Sequence, residues 1–174
     1  MKRKIKLIRN CVLSIIILFG IYYFGGFYFS KENYMFDKLR SLRIEQAEII
    51  MEFIHDNECI TVVHDKEENF IGLIGSKRIG ILYVSDSSSI RKIEESNENV
   101  LITGMASSTK QIIVLYRMNP NISKVIAEFE DGTEKQFDNW TCDFDGTMLE
   151  RDNWLNGKYK VYNSNNELIE VIEY

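Results

Sequence analysis

Residues 122–137, ISKVIAEFEDGTEKQF, form the stretch that assigns the fold class. Val125, Ala127 and Phe129 alternate with neighbours that are charged except for Ile126, the period-two pattern of a strand with one buried face. Asp131-Gly132 separates two extended runs. It predicts a type I′ hairpin, in which both central residues need positive φ. The tail repeats the pattern: residues 157–174, GKYKVYNSNNELIEVIEY, read as strand, Asn-rich turn and strand. Toward the N-terminus, NVLITGMA (99–106) and KQIIVLYRM (110–118) make another pair, with Ser107, Ser108 and Thr109 between them. CITVVHD (59–65), NFIGLIGS (69–76) and RIGILYVS (78–85) are short Ile- and Val-rich runs broken by turn residues, a small meander. The text from 86 to 99 reads as a linker with two helical turns capped by Ser88 or Ser89, with a strand as the equal alternative. Together these predict a mostly-β ectodomain of the α+β class, its antiparallel hairpins packed as a β-sandwich.

The pattern ISKVIAEFEDGTEKQF followed by NGKYKVYNSNNELIEV (156–171) resembles the small β-sandwich ends of single-pass membrane proteins of Gram-positive bacteria. It covers about residues 99–174 and rests on hairpin pattern. The resemblance implies a β-sandwich outside the cell membrane and brings no catalytic residue with it.

Ahead of the strands, residues 31–55 contain neither Gly nor Pro. Met35, Leu39, Leu42, Ala47, Ile50, Phe53 and Ile54 recur at helical spacing, which predicts an amphipathic helix with Ser30 as its N-cap. Residues 11–29, CVLSIIILFGIYYFGGFYF, carry no charge and follow five basic residues in the first ten. A hydrocarbon core of roughly 30 Å takes about 20 apolar helical residues, so the run predicts an uncleaved transmembrane signal anchor. The basic tip places the N-terminus in the cytoplasm and the bulk of the chain outside. The expected organisation is a tip and anchor over 1–30, an amphipathic helix over 31–57, a meander and linker over 58–98, and a sandwich-like domain over 99–174. Beyond residue 29 lie 26 acidic and 16 basic residues, a formal charge of −10 against −5 for the whole chain. That acidity excludes an electrostatic footprint for nucleic acid.

Chemistry is sparse. Asp143-Phe144-Asp145-Gly146-Thr147 resembles the nucleophile loop of haloacid dehalogenase-like phosphatases, which would make Asp143 the nucleophile and Asp145 the proton shuttle. That family sets the loop after a buried strand near the start of a parallel α/β domain. Here only 31 residues follow Asp143, which leaves no room for such a frame. Hard cations take oxygen ligands from closely spaced carboxylates, so Asp143, Asp145, Glu150 and Asp152 are the metal candidates, though glycine comes too early for an EF-hand loop. His55 and His64 lack a zinc-binding context. Phe137, Trp140, Phe144, Trp154 and Tyr159 are the candidate aromatic binding face, against the alternative that they are core. Cys59 and Cys142 read as buried free thiols, with a disulfide as the alternative.

The expected function is a membrane-tethered, extracytoplasmic and non-catalytic binding module, anchored in lipid through residues 11–29. It requires no cofactor. Its partner would be an envelope protein, a peptide or a wall polymer, met through edge strands and the 137–157 loop. Two alternatives stand beside it. One is an envelope hydrolase or metal-dependent enzyme using the 143–152 loop, with Asp143, Asp145 or His64. The other is a structural subunit that forms a homodimer through residues 31–55.

Overall fold

The computed structural model describes residues 2–44, 46–93, 99–106, 110–150 and 156–174. In chain order the elements are α1 (Lys2–Phe24), β1 (Phe27–Tyr28), α2 (Lys31–Ser41), β2 (Glu48–His55), β3 (Glu58–Asp65), β4 (Phe70–Ile79) and β5 (Leu82–Lys92). They continue with β6 (Val100–Ala106), β7 (Lys110–Arg117), β8 (Ile122–Phe129), β9 (Glu134–Phe137), β10 (Phe144–Glu150), β11 (Gly157–Asn163) and β12 (Leu168–Glu173). The chain divides into two compact units, Met1–Glu45 with Ser76–Asp86, and Gln46–Gly75 with Ser87–Tyr174.

In the first unit, the uncharged run is helical only as far as Phe24. Gly25 and Gly26 then turn the chain, Gly26 at φ +65°, into the short strand β1, whose Phe27 and Tyr28 pair with Val84 and Tyr83 of β5. Glycine supplies the left-handed backbone that a side chain would resist. At 1.5 Å per residue, the uncharged helical part from Cys11 to Phe24 is about 21 Å long, short of the roughly 30 Å a span requires. Among the described residues no helix is long and apolar enough to cross a membrane. The expected anchor over 11–29 is therefore corrected, and with it the single-pass, N-terminus-inside localisation. Ile5, Leu7, Ile8, Val12, Leu13 and Ile15–Phe19 of α1 are exposed.

The amphipathic helix is also shorter than expected. Ser30 does cap it, its hydroxyl accepting from the Asn33 N–H at 3.2 Å. The helix then stops at Ser41, where Leu42 and Arg43 form a turn and Arg43 takes φ +60°. Tyr34 and Met35 are its buried residues, and the Tyr34 hydroxyl meets Ser85 Oγ at 3.5 Å. Residues 48–55, expected as helix, form strand β2. Here β-branched Ile49, Ile50 and Ile54 stand beside Phe53, and the Asp56-Asn57 turn returns the chain directly into β3, with His55 opposite Glu58. Strand pairing overrides a spacing that fits both periods.

Within the first unit the strand order is β1-β5-β4. Within the second it is β5-β4-β3-β2, beside a sheet β10-β7-β6 and a sheet β12-β11-β8-β9. The second unit has two cores, one on each face of the β10-β7-β6 sheet. Val100, Ile102, Ile113 and Leu115 point one way, against Val125, Ala127, Phe129, Phe137, Tyr159, Val161 and Ile172. Leu101, Met105, Ile112 and Val114 point the other way, against Ile60, Val62, Ile71 and Leu73. Neighbouring residues on a strand face opposite sides, so the unbroken apolar runs of β6 and β7 are what a sheet buried on both faces requires. The mostly-β content stands. The expected β-sandwich behind a transmembrane helix and an amphipathic helix is corrected to three antiparallel sheets, β6 and β7 lying between the two cores of the second unit. With them, among the described residues, are two short helices, neither of which is long and apolar enough to cross a membrane.

Candidate functional site

The 137–150 segment carries most of the residues singled out from sequence. It leaves β9 at Phe137, crosses a short loop and returns as β10, which pairs along its length with β7, from Phe144 opposite Tyr116 to Glu150 opposite Lys110. A two-residue turn starts that strand. Thr141 and Phe144 exchange backbone hydrogen bonds at 2.7 and 2.8 Å, and the residues between them, Cys142 and Asp143, have φ +50° and +69°. Both central residues are thus left-handed, as a type I′ turn demands. At Asp131-Gly132, where that turn was expected, only Gly132 has positive φ (+81°), and the loop is the longer kind with one left-handed residue.

Left-handed backbone costs a non-glycine residue on the order of 1–2 kcal/mol. Contacts around Asp143 offset that cost. Its Oδ1 accepts from Arg117 Nη2 at 2.6 Å and Nε at 3.0 Å, and its carbonyl accepts from the Arg117 N–H at 2.8 Å. Arg117 also donates to the Ile122 carbonyl and lies 5.2 Å above the Trp140 ring, while Trp140 Nε1 donates to the Ser123 carbonyl at 2.8 Å. This is a turn clamp: one arginine ties β7, β8 and the turn together.

The metal candidates are similarly committed. Asp145 accepts from the Asn139 and Gly146 N–H groups, and Glu150 pairs with Lys110. Asp152 lies outside the described residues. Among the described residues no group of three or more His, Cys, Asp or Glu is placed to hold a metal ion. Gly146 of the phosphatase-like motif has a packing reason. A Cβ there would stand 2.8 Å from Phe53 Cζ and 3.1 Å from the Ile113 carbonyl oxygen, so glycine lets β2 approach β10.

The five candidate aromatics do not gather on one face. Phe137 and Tyr159 belong to one core and Phe144 to the other; burial pushes the Tyr159 phenol up. Trp140 is half-buried against the first core, and Trp154 lies outside the described residues. His64 is buried against the Phe144 and Tyr116 rings, at 5.2 and 5.4 Å between centroids, and its Nε2 has no hydrogen-bond partner among the described residues. Burial and the charge of nearby Lys66 hold its pKa below the ordinary value. Cys59 is buried and Cys142 exposed, and no disulfide joins the two.

The edges of the β12-β11-β8-β9 sheet differ sharply. β9 shows Glu134, Lys135 and Gln136 to solvent, the charged rim by which proteins discourage strand addition. β12 instead exposes Leu168, Ile169 and Val171, at 53%, 42% and 45%, while only Ile172 of the strand is buried. A bulge makes Ile169 the extra residue between the Leu168–Tyr162 and Glu170–Val161 pairs, and the register then runs regularly to Glu173. Glu170 reaches back to Asn99, accepting from its N–H and Nδ2, so the strand is fixed at its centre. Residues 164–174 contain three glutamates and no basic residue. Sequence reasoning proposed edges in general but not this one. Which strand ends a sheet is decided by tertiary pairing.

Comparison with protein-family models, with curated proteins and with solved structures returned no match. The site therefore rests on its own geometry.

Proposed function

We propose that this chain is a non-catalytic binding module that captures an extended polypeptide segment along β12. The observation that carries the reading is the row Leu168, Ile169 and Val171, exposed on a strand that, among the described residues, is paired on one side only. An unpaired edge offers backbone N–H and C=O groups to an incoming strand, and side chains at alternate positions then select its sequence. The acidic composition of residues 164–174 favours a partner in which apolar residues alternate with lysine or arginine. It disfavours a second copy of this chain, since two such edges would bring glutamates against glutamates.

The test is selection of a displayed random-peptide library on the full chain, followed by titration of the enriched peptides against wild type and the L168K/V171K double variant. Enriched peptides should alternate apolar and basic residues and bind the variant at least about tenfold more weakly, or about 1.4 kcal/mol. Peptides that bind both proteins equally would overturn the reading, as would the absence of enrichment.

A further inference from the structure

The first unit contains an open cavity of about 400 Å³, independent of the β12 edge, whose lining includes Tyr22, Phe27, Tyr28, Asn33, Phe36 and Asp37. Its volume falls within the roughly 300–1,000 Å³ of small-molecule sites. The walls are held in place. Tyr28 sits edge-on to buried Tyr34, ring centroids 5.5 Å apart, and Tyr22 stacks on Phe29 at 5.0 Å. The Tyr28 hydroxyl donates to Asp37 Oδ2 at 2.6 Å, which orients the carboxylate and, with burial, pushes the phenol up to about 12. Phe36 is 70% exposed. Its ring gains little from the fold, and its place on the cavity wall gives it a use.

Among the described residues of the lining, four aromatic rings and one carboxylate, with no lysine or arginine, narrow the class of ligand. An anion would be repelled by Asp37. A neutral apolar molecule would desolvate that carboxylate without compensation. A hard metal ion takes six or more oxygen ligands, and the described residues of the lining provide a single carboxylate. A cation with an apolar shell satisfies both features, since aromatic faces attract it through their quadrupoles while the carboxylate neutralises it. We infer that this cavity is a binding site for a small organic ammonium ion, seated among Tyr22, Phe27, Tyr28 and Phe36 with Asp37 as counter-ion.

Calorimetric titration of the full chain tests this, with choline, glycerophosphocholine and the neutral tert-butyl isostere of choline as probes. Choline should bind saturably at one site, and the neutral isostere at least about tenfold more weakly. D37N and F36A should each weaken choline at least about tenfold, whereas E134Q, which removes an exposed carboxylate of β9 outside the lining, should stay within about threefold. Asparagine still accepts from Tyr28, and Phe36 is largely exposed, so neither change removes core packing. A preference for choline over glycerophosphocholine assigns a free cation, and equal binding assigns the ammonium group wherever it is carried; both support the site. Absence of saturable choline binding, unchanged affinity in D37N, or an isostere that binds as well as choline would each overturn it.

Discussion

Two neighbouring isoleucines distinguish three layers from two. Ile112 and Ile113 are adjacent on β7, 1% and 0% exposed, and they face opposite cores: Ile112 lies with Ile60, Leu73 and Phe144, Ile113 with Val125, Phe137 and Tyr159. In a two-layer sandwich one of any adjacent pair faces solvent, and shortening it changes stability by no more than about 0.5 kcal/mol. In three layers both changes leave cavities. Ile112→Val and Ile113→Val should each cost about 0.5–1.5 kcal/mol, and the alanine variants about 2–5 kcal/mol. Urea unfolding followed by circular dichroism resolves this. With a slope of about 1–3 kcal/mol per molar, a 3 kcal/mol loss moves the midpoint by roughly 1–3 M. Losses of similar size at both positions support a sheet buried on both faces. A full loss at one and near-neutrality at the other would refute it.

Further outcomes follow from the 137–150 segment and its neighbours. Gly146→Ala gains up to about 1 kcal/mol from a stiffer unfolded chain, but its Cβ would press on Phe53 and on the Ile113 carbonyl. Overpacking of about 1–3 kcal/mol wins, and thermal unfolding should show a net loss. Cys142→Asn puts a residue that tolerates the left-handed region where φ is +50°, and should raise stability by up to about 1 kcal/mol in urea unfolding. The pKa of His64 is lowered chiefly by burial, so the folded state binds fewer protons than the unfolded state. Its contribution to stability is complete above the unfolded value of about 6.5 and falls as pH drops from there toward the folded value. Urea midpoints of wild type and His64→Leu should therefore differ in slope between about pH 7 and 5, the wild type losing stability on acidification and the variant less so. Parallel profiles would contradict that origin.

Much of the strand content was legible because turn residues punctuate it. The runs at 59–65, 100–106 and 110–117 lie in strands, and the hairpins around Asp131-Gly132 and the Asn-rich 163–166 turn stand where their residues place them, whereas β4 runs on through the expected break at Gly75–Arg78 and turns at Gly80, inside the expected 78–85 run. β2 was not legible as a strand, because Ile50, Phe53 and Ile54 also fit a helical stripe; the better signal was Asp56-Asn57 between two β-rich runs. In the uncharged N-terminal run, counting apolar residues outweighed Gly25-Gly26, the dipeptide that ends α1. The turn at Cys142-Asp143 carries neither Asn nor Gly, so its backbone is set by the Arg117 clamp, a contact 26 residues away in sequence. Aromatic content around 137–159 did not separate core from surface. Only pairing placed Phe137, Phe144 and Tyr159 inside. For the same reason β12, which reads like any other alternating strand, reveals itself as an exposed edge only in the assembled sheet.

The most direct measurement on that edge is amide hydrogen exchange, residue by residue, with and without a peptide selected on the full chain. Strand addition predicts new protection at alternate residues within Leu168–Glu173, with the β9 edge at Glu134–Gln136 unchanged. Protection at β9 or elsewhere, with β12 exchanging as it does alone, would contradict the account.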